Sequence, residues 1–207
     1  MPDRTRQQSP ADEIRASLSA KVTTIKSRRD LSDEGRARQL AKATVAARTE
    51  MAKLRRKDTE RTEQRRAELR QRLFGNPKNW DSTTVISFRD AADRADKLKD
   101  APEAATLLER AITSGDDILG RAIAQHAMSR IVGKGIGSAW AQIVDRWVEN
   151  QPPDTAEDIQ ELADIEHGTT DVKARFAAGM SYHVPTPPQI AGKNIDGLAA
   201  AADRPSE

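Results

Sequence analysis

The chain has no cysteine, only 3% aromatic residues and only 37% hydrophobic residues in a length of 207. The first absence excludes disulfides, thiolate metal sites and a cysteine nucleophile, and it fits a reducing compartment. With so few aromatic and β-branched side chains, the affordable interior is one of thin helical layers packed through Ala and Leu, not a sheet sandwich. No stretch approaches the roughly 20 apolar residues that a membrane span needs, and the opening MPDRTRQQSP has no apolar targeting core. A cytoplasmic location with no membrane partner is expected.

Charge is plentiful, at 32% of residues, and unevenly placed. Residues 1–74 carry 20 Lys and Arg against 11 Asp and Glu, whereas residues 75–207 carry 14 against 21. The modest net charge of +2 therefore conceals a basic first part and an acidic second part. Such polarity suggests an acidic partner for the first part, nucleic acid included, or attraction between copies of the chain.

The expected fold class is all-α. After residues 1–10, taken as disordered, Ile14, Leu18, Val22 and Ile25 fall on one helical face. Residues 30–34, DLSDE, break this helix and restart another, with Ser32 as N-cap and two acids in the first turn. The second helix should run to Phe74, about 60 Å, and stop at Gly75 with Pro77 beyond. Leu40, Ala43, Ala47, Met51 and Leu54 extend a heptad-like, coiled-coil stripe only as far as the first helix reaches, giving a hairpin over 11–74 with one long projecting helix.

From Lys53 to Arg72 the sequence KLRRKDTERTEQRRAELRQR should project into solvent, supported by the pairs Arg56/Glu60, Glu68/Arg72, Asp58/Arg61 and Glu63/Arg66. Arg55, Arg56, Lys57, Arg61, Arg65, Arg66, Arg70 and Arg72 are candidate contacts for nucleic-acid phosphates or for an acidic protein. The interleaved acids and missing aromatics favour a spacer or protein-contact surface over nucleic acid.

Residues 75–87 read as a linker in which Trp80 is large enough to dock. Residues 88–180 should form a compact acidic bundle or α-hairpin array, with helices near 88–99, 101–113, 117–132, 138–149, 155–166 and 170–179. Ser87/Asp90, Asp100/Glu103 and Asp154/Glu157 have capping-box spacing. Phe88, Leu98, Leu108, Leu119, Ile123, Trp140, Ile143, Val144, Trp147, Leu162, Val172 and Phe176 are among the residues expected to face inward.

The stretch GKGIGSAWAQIV, residues 133–144, resembles the helix-hairpin-helix motif, with Gly135-Ile136-Gly137 as the turn and Ala141 in the small packing position. That resemblance implies backbone N–H groups offered to a DNA phosphate, making Lys134, Gly135 and Gly137 candidate contacts. Gly133 and Lys134 depart from the motif, and a Gly-rich connection capped by Gly133 explains the same letters.

Neither a catalytic constellation, nor a cofactor site, nor a metal site is expected. His126, His167 and His183 lie far apart, and Asp116/Asp117 and Asp154/Glu157 read as caps. The tail from Ser181 to Glu207 should be extended, with Tyr182, Val184, Pro185, Pro187, Pro188 and Ile190 as candidates for docking into a neighbour's groove.

The short amphipathic helix, the DLSDEGRARQLAKATVAARTEMAKL turn and second helix, and the Arg/Glu-rich run ending RLFG resemble helical proteins from structural-gene regions of actinobacterial tailed phages and prophages. The resemblance implies a virion or assembly component, in the host cytoplasm or the virion, whose partners are copies of itself or other assembly subunits. The expected function is therefore a non-enzymatic structural or assembly protein. The alternative is a nucleic-acid-binding accessory protein using the Arg-rich helix and the Gly135–Gly137 turn.

Overall fold

The structure, a computed structural model, describes residues 9–75, 81–131 and 138–202. These residues are all-α, with no strand among them. In chain order they form α1 (Pro10–Ser27), α2 (Asp33–Phe74), α3 (Ser82–Asp96), α4 (Ala101–Ser114), α5 (Asp117–Ile131), α6 (Ala139–Val148), α7 (Pro153–Thr170), α8 (Val172–Ser181), a 3₁₀ turn (Pro188–Ile190) and α9 (Ile195–Ala201).

Local chemistry sets most of these boundaries. Ser9 caps α1 by accepting from the Asp12 amide, with Pro10 in the first turn; Ser9 and Pro10 therefore belong to ordered chain, not to a disordered start. Ser32 Oγ accepts from the Gly35 amide at 3.0 Å, as expected of the α2 cap. Asp100 accepts from the Glu103 amide at 2.9 Å. Gly115, at φ 67°, ends α4, and the Asp116 amide reaches back to the Ala111 carbonyl at 2.8 Å, closing a Schellman motif.

Two expected caps are displaced. Helix α3 begins at Ser82, because Asp81 accepts from the Thr84 amide at 2.7 Å, so residues 82–87 are helical and not linker. Ser87 Oγ instead bonds back to the Thr83 carbonyl inside the helix. Helix α7 begins at Pro153 with no side-chain cap, which places Asp154 inside the first turn, where the helix dipole suits it. Trp80, Pro77, Gly133 and the candidate contacts Lys134, Gly135 and Gly137 lie outside the described residues.

The chain divides into two compact units, residues 1–61 with 177–207, and residues 62–176. This corrects the expected boundary at Gly75 and the expected span 88–180 of the compact domain. Leu69, Leu73 and Phe74 are buried in the same interior as Trp140 and Trp147, with the Phe74 and Trp147 rings 5.9 Å apart. The stretch ending at Arg72 thus does not project into solvent throughout. Leu69 and Leu73, one turn apart, with Phe74 beside them, give its last turns a buried face.

In the second unit α5 is the central element, packed on α3, α4 and α6. Ala104, Ala111, Ala122, Ala124 and Ala127 are each at most 2% exposed, and such small side chains let the helices approach closely around Leu108, Ile123 and Leu162. His126 is buried between Asp96, 3.2 Å from its Nδ1, and the Trp140 ring, a structural setting. Val172 and Phe176, expected to face inward, are instead 75% and 71% exposed on α8.

The first unit is held by two small apolar clusters. One joins Leu18, Ala47, Met51 and Val184, with Ile14 and Leu54 against it. The other joins Ala37, Leu40, Ala41 and Ile190, with Val22 and Ile25 against it. The N-terminal residues of α1 thus meet the middle of α2, and its C-terminal residues meet the start of α2, which is antiparallel packing. Residues of the tail complete both clusters.

Candidate functional site: tail groove, arginine row and uncovered helix

The tail is not free. Val184, Pro187 and Ile190 are buried while Pro185 and Pro188 are exposed, a period of three. Extended proline-rich chain and the 3₁₀ turn that follows both repeat every three residues, so one side of the segment faces the groove throughout. Four of the six expected docking residues therefore point into the groove: these three and the half-buried Tyr182. Pro185 and Pro188 do not; their rings stiffen the segment from its solvent side.

Polar contacts fix the register of the tail. The Tyr182 hydroxyl donates to Asp58 at 2.9 Å, and Arg48 donates to the Thr186 hydroxyl at 2.9 Å. The Arg15 guanidinium donates to the carbonyls of His183 and Ser181 while pairing with Asp12 at 2.8 Å. Burial, and then the bond to Asp58, push the Tyr182 phenol above its ordinary pKa.

Past the 3₁₀ turn, Asn194 caps α9 by accepting from the Gly197 amide at 3.0 Å, and Ile195, Leu198 and Ala199 pack on the Ile190 cluster. The expectation of an extended tail over 181–207 is thus corrected. So is the occupant of the groove: the hairpin that receives the tail belongs to the same chain. The signal for α9 is in the letters, an Asn cap before Ile195, Leu198 and Ala199 at helical spacing.

The arginine row divides into two. Arg65 makes a two-pronged contact with Glu161 at 2.7 and 2.5 Å, Arg70 meets Glu166 at 2.6 Å, with Arg66 4.0 Å from the same carboxylate, and Arg72 meets Asp158 at 3.0 Å. All three carboxylates lie on α7. Arg66 also pairs with Glu63, and Arg65 is 3.5 Å from Glu68. Of the expected helical pairs, Arg56/Glu60 forms at 2.8 Å and Glu63/Arg66 forms. Glu68 meets Arg65 and Arg72 meets Asp158, and Asp58 also accepts from the Tyr182 hydroxyl. The acidic partner of these arginines is the chain's own α7, whose Asp158 and Glu166 are 7% and 8% exposed. The hydrogen bond from Arg65 holds the Glu161 carboxyl below its ordinary pKa. Arg146 does the same to Glu109, at 2.6 Å.

The other part of the row stays at the surface. Lys53, Arg55, Arg56, Lys57 and Arg61 are exposed, and Lys53, Lys57 and Arg61 fall four apart on one face of α2.

Helix α8 has no buried residue. Val172, Phe176 and Met180, spaced four and four, stand 75%, 71% and 52% exposed in a single row. Lone exposed apolar side chains are ordinary, whereas these three large ones share one helix.

Among the described residues no helix is long and apolar enough to cross a membrane, and no group of three or more His, Asp or Glu side chains is placed to hold a metal ion. Comparison of the chain with protein-family models, with curated proteins and with solved structures finds no match.

Proposed function

We propose that this chain is a non-enzymatic structural or assembly protein, of the phage virion or capsid-assembly type, that acts through protein–protein contacts. The observation that carries the reading is the row Val172, Phe176 and Met180 on α8, apolar side chains exposed on a helix with no buried residue. Two further features support it. The arginines of the lower part of α2 serve as ties to α7, and the tail seats in a groove in the manner of a peptide bound to a helical pair. The test is sedimentation velocity over a range of concentrations. Association should grow with concentration and weaken when the three row residues are replaced by Ser. A monomer at every concentration would count against the reading.

A second reading, a nucleic-acid-binding accessory protein, draws on the exposed face Lys53, Lys57 and Arg61. Such a face engages phosphates by releasing counterions, so binding should fall steeply with salt. A mobility shift with duplex and single-stranded DNA at low salt checks it, and no shift removes this reading.

A further inference from the structure

Sorting the charges by unit shows a polarity that the folded chain does not cancel. The first unit, residues 1–61 with 177–207, carries 18 Lys and Arg against 12 Asp and Glu, and the second, residues 62–176, carries 16 against 20. The ties from Arg65, Arg70 and Arg72 to α7 lie inside the second unit and match cations to acids there in pairs. Left over on the first unit are Lys53, Lys57 and Arg61, exposed on one face of α2 at intervals of four residues, about 6 Å apart along the helix axis. Left over on the second are Asp117 and Asp154, both exposed, in the first turns of α5 and α7. Among the described residues none of these five side chains takes part in an ion pair.

The two carboxylates line one cleft of about 310 Å³ in the second unit. Its walls include the apolar Ile118, Pro152 and Trp147, the last only 4% exposed. Of two arginines that also line it, Arg72 pairs with Asp158 at 3.0 Å and Arg121 donates to the Arg72 carbonyl at 2.8 Å. An apolar wall beside exposed carboxylates suits a Lys or Arg side chain, which buries its alkyl stem and keeps its charged head in water. Helix α7 already shows this chemistry within the fold, since its Asp158 and Glu161 take Arg72 and Arg65. Asp154, one turn before Asp158 on the same face, is the next acid of that row and has no such partner.

We propose that copies of this chain associate head to tail, the row Lys53, Lys57 and Arg61 of one copy docking on the Asp117–Asp154 cleft of the next. The occupant of the cleft is thus a second copy of this chain, identified by charge complementarity; the inference rests on the assembly reading and names a contact for it. Because the two surfaces differ, the contact is heterologous and repeats from copy to copy, generating an open row or a closed ring. Attraction between exposed charges is screened by salt, so association should weaken as ionic strength rises.

Two charge-reversed full-length variants test the contact by sedimentation velocity. One carries Lys53→Glu, Lys57→Glu and Arg61→Glu; the other carries Asp117→Lys and Asp154→Lys. In either variant alone the row and the cleft repel, and self-association should weaken about tenfold or more with helix content unchanged, since all five residues are exposed. An equimolar mixture should regain association, because the first variant keeps the native cleft and the second the native row. Should the Lys substitutions lower the thermal melt, Asp117→Asn with Asp154→Asn removes the charges at nearly constant shape and takes their place in the mixture. Association that salt does not weaken, that persists in either variant alone, or that the mixture fails to regain overturns the head-to-tail contact and leaves the assembly reading standing. Loss of duplex-DNA binding in the first variant with self-association intact would likewise overturn it and give the row to the second reading. A native chain that stays monomeric at every concentration overturns both the contact and the assembly reading.

Discussion

Gly168 lies in the last turn of α7, and a Cβ built there meets nothing within 4 Å. Gly in such a position loses more backbone freedom on folding than Ala and carries no compensating duty. Gly168→Ala is expected to raise stability by about 0.5–1 kcal/mol, read as a higher Tm in thermal melts of the whole chain. Gly115 is the opposite case. Its φ of 67° is the left-handed conformation that the end of α4 requires, so Gly115→Ala should lower the Tm. Two glycines with equal space around them thus differ in sign, because one needs positive φ and the other does not. The indole N–H of Trp147 is a further cost, buried without an acceptor at the edge of the interior it fills.

At the scale of elements, the ion pairs Arg65–Glu161, between α2 and α7, and Arg146–Glu109, between α6 and α4, add an acid-sensitive contribution to stability. The Glu161 carboxyl is held below its ordinary pKa in the fold by Arg65, and Glu109 by Arg146. The unfolded chain therefore binds protons more readily than the folded one in the acid range. The stability these groups contribute is complete above their unfolded pKa of about 4.3 and is lost as pH falls through the lower folded values. Melts from neutral to strongly acid pH should show that loss, made shallower by the double substitution Glu161→Gln and Glu109→Gln. A decline no shallower in the double variant would show that other groups govern it. The tail has an alkaline limit: the raised phenol of Tyr182 contributes fully below its unfolded pKa of about 10 and ceases to as pH rises through the folded value.

Most helices were legible because their caps and apolar spacings are local: Ser32, Asp100 and Gly115 each fix a terminus within a few letters. The ties from α2 to α7 were not, since Arg65 and Glu161 stand 96 positions apart. The charge segregation showed that the arginines wanted acids; it did not show that the acids were in the same chain. The row on α8 misled for a different reason. Val172, Phe176 and Met180 have the spacing of a core-facing stripe, and spacing alone does not say whether a partner element covers it. In the tail, Val184, Pro187 and Ile190 are buried and Tyr182 half-buried while Pro185 and Pro188 are exposed, a period of three that is readable only once the segment is taken as extended chain.

On the scale of the whole molecule, the division between Arg61 and Thr62 changes which fragment should fold. A cut at residue 76 removes Leu69, Leu73 and Phe74 from the interior they share with Trp140 and Trp147, whereas a cut at 61 keeps them. Residues 62–176 are expected to give a cooperative thermal melt by circular dichroism, and residues 77–176 a lower or uncooperative one. Equal melts would place the boundary back at Gly75. The other unit is discontinuous: it needs both residues 1–61 and residues 177–207. During synthesis domains ordinarily fold in the order in which they leave the ribosome, and here that order is inverted. The helical pair made first must wait, its apolar seat unfilled, while the intervening 62–176 unit is translated and collapses, and it is completed only when the last helix emerges. A nascent chain stalled before Val184 would therefore display a finished interior in its middle and an unfinished beginning.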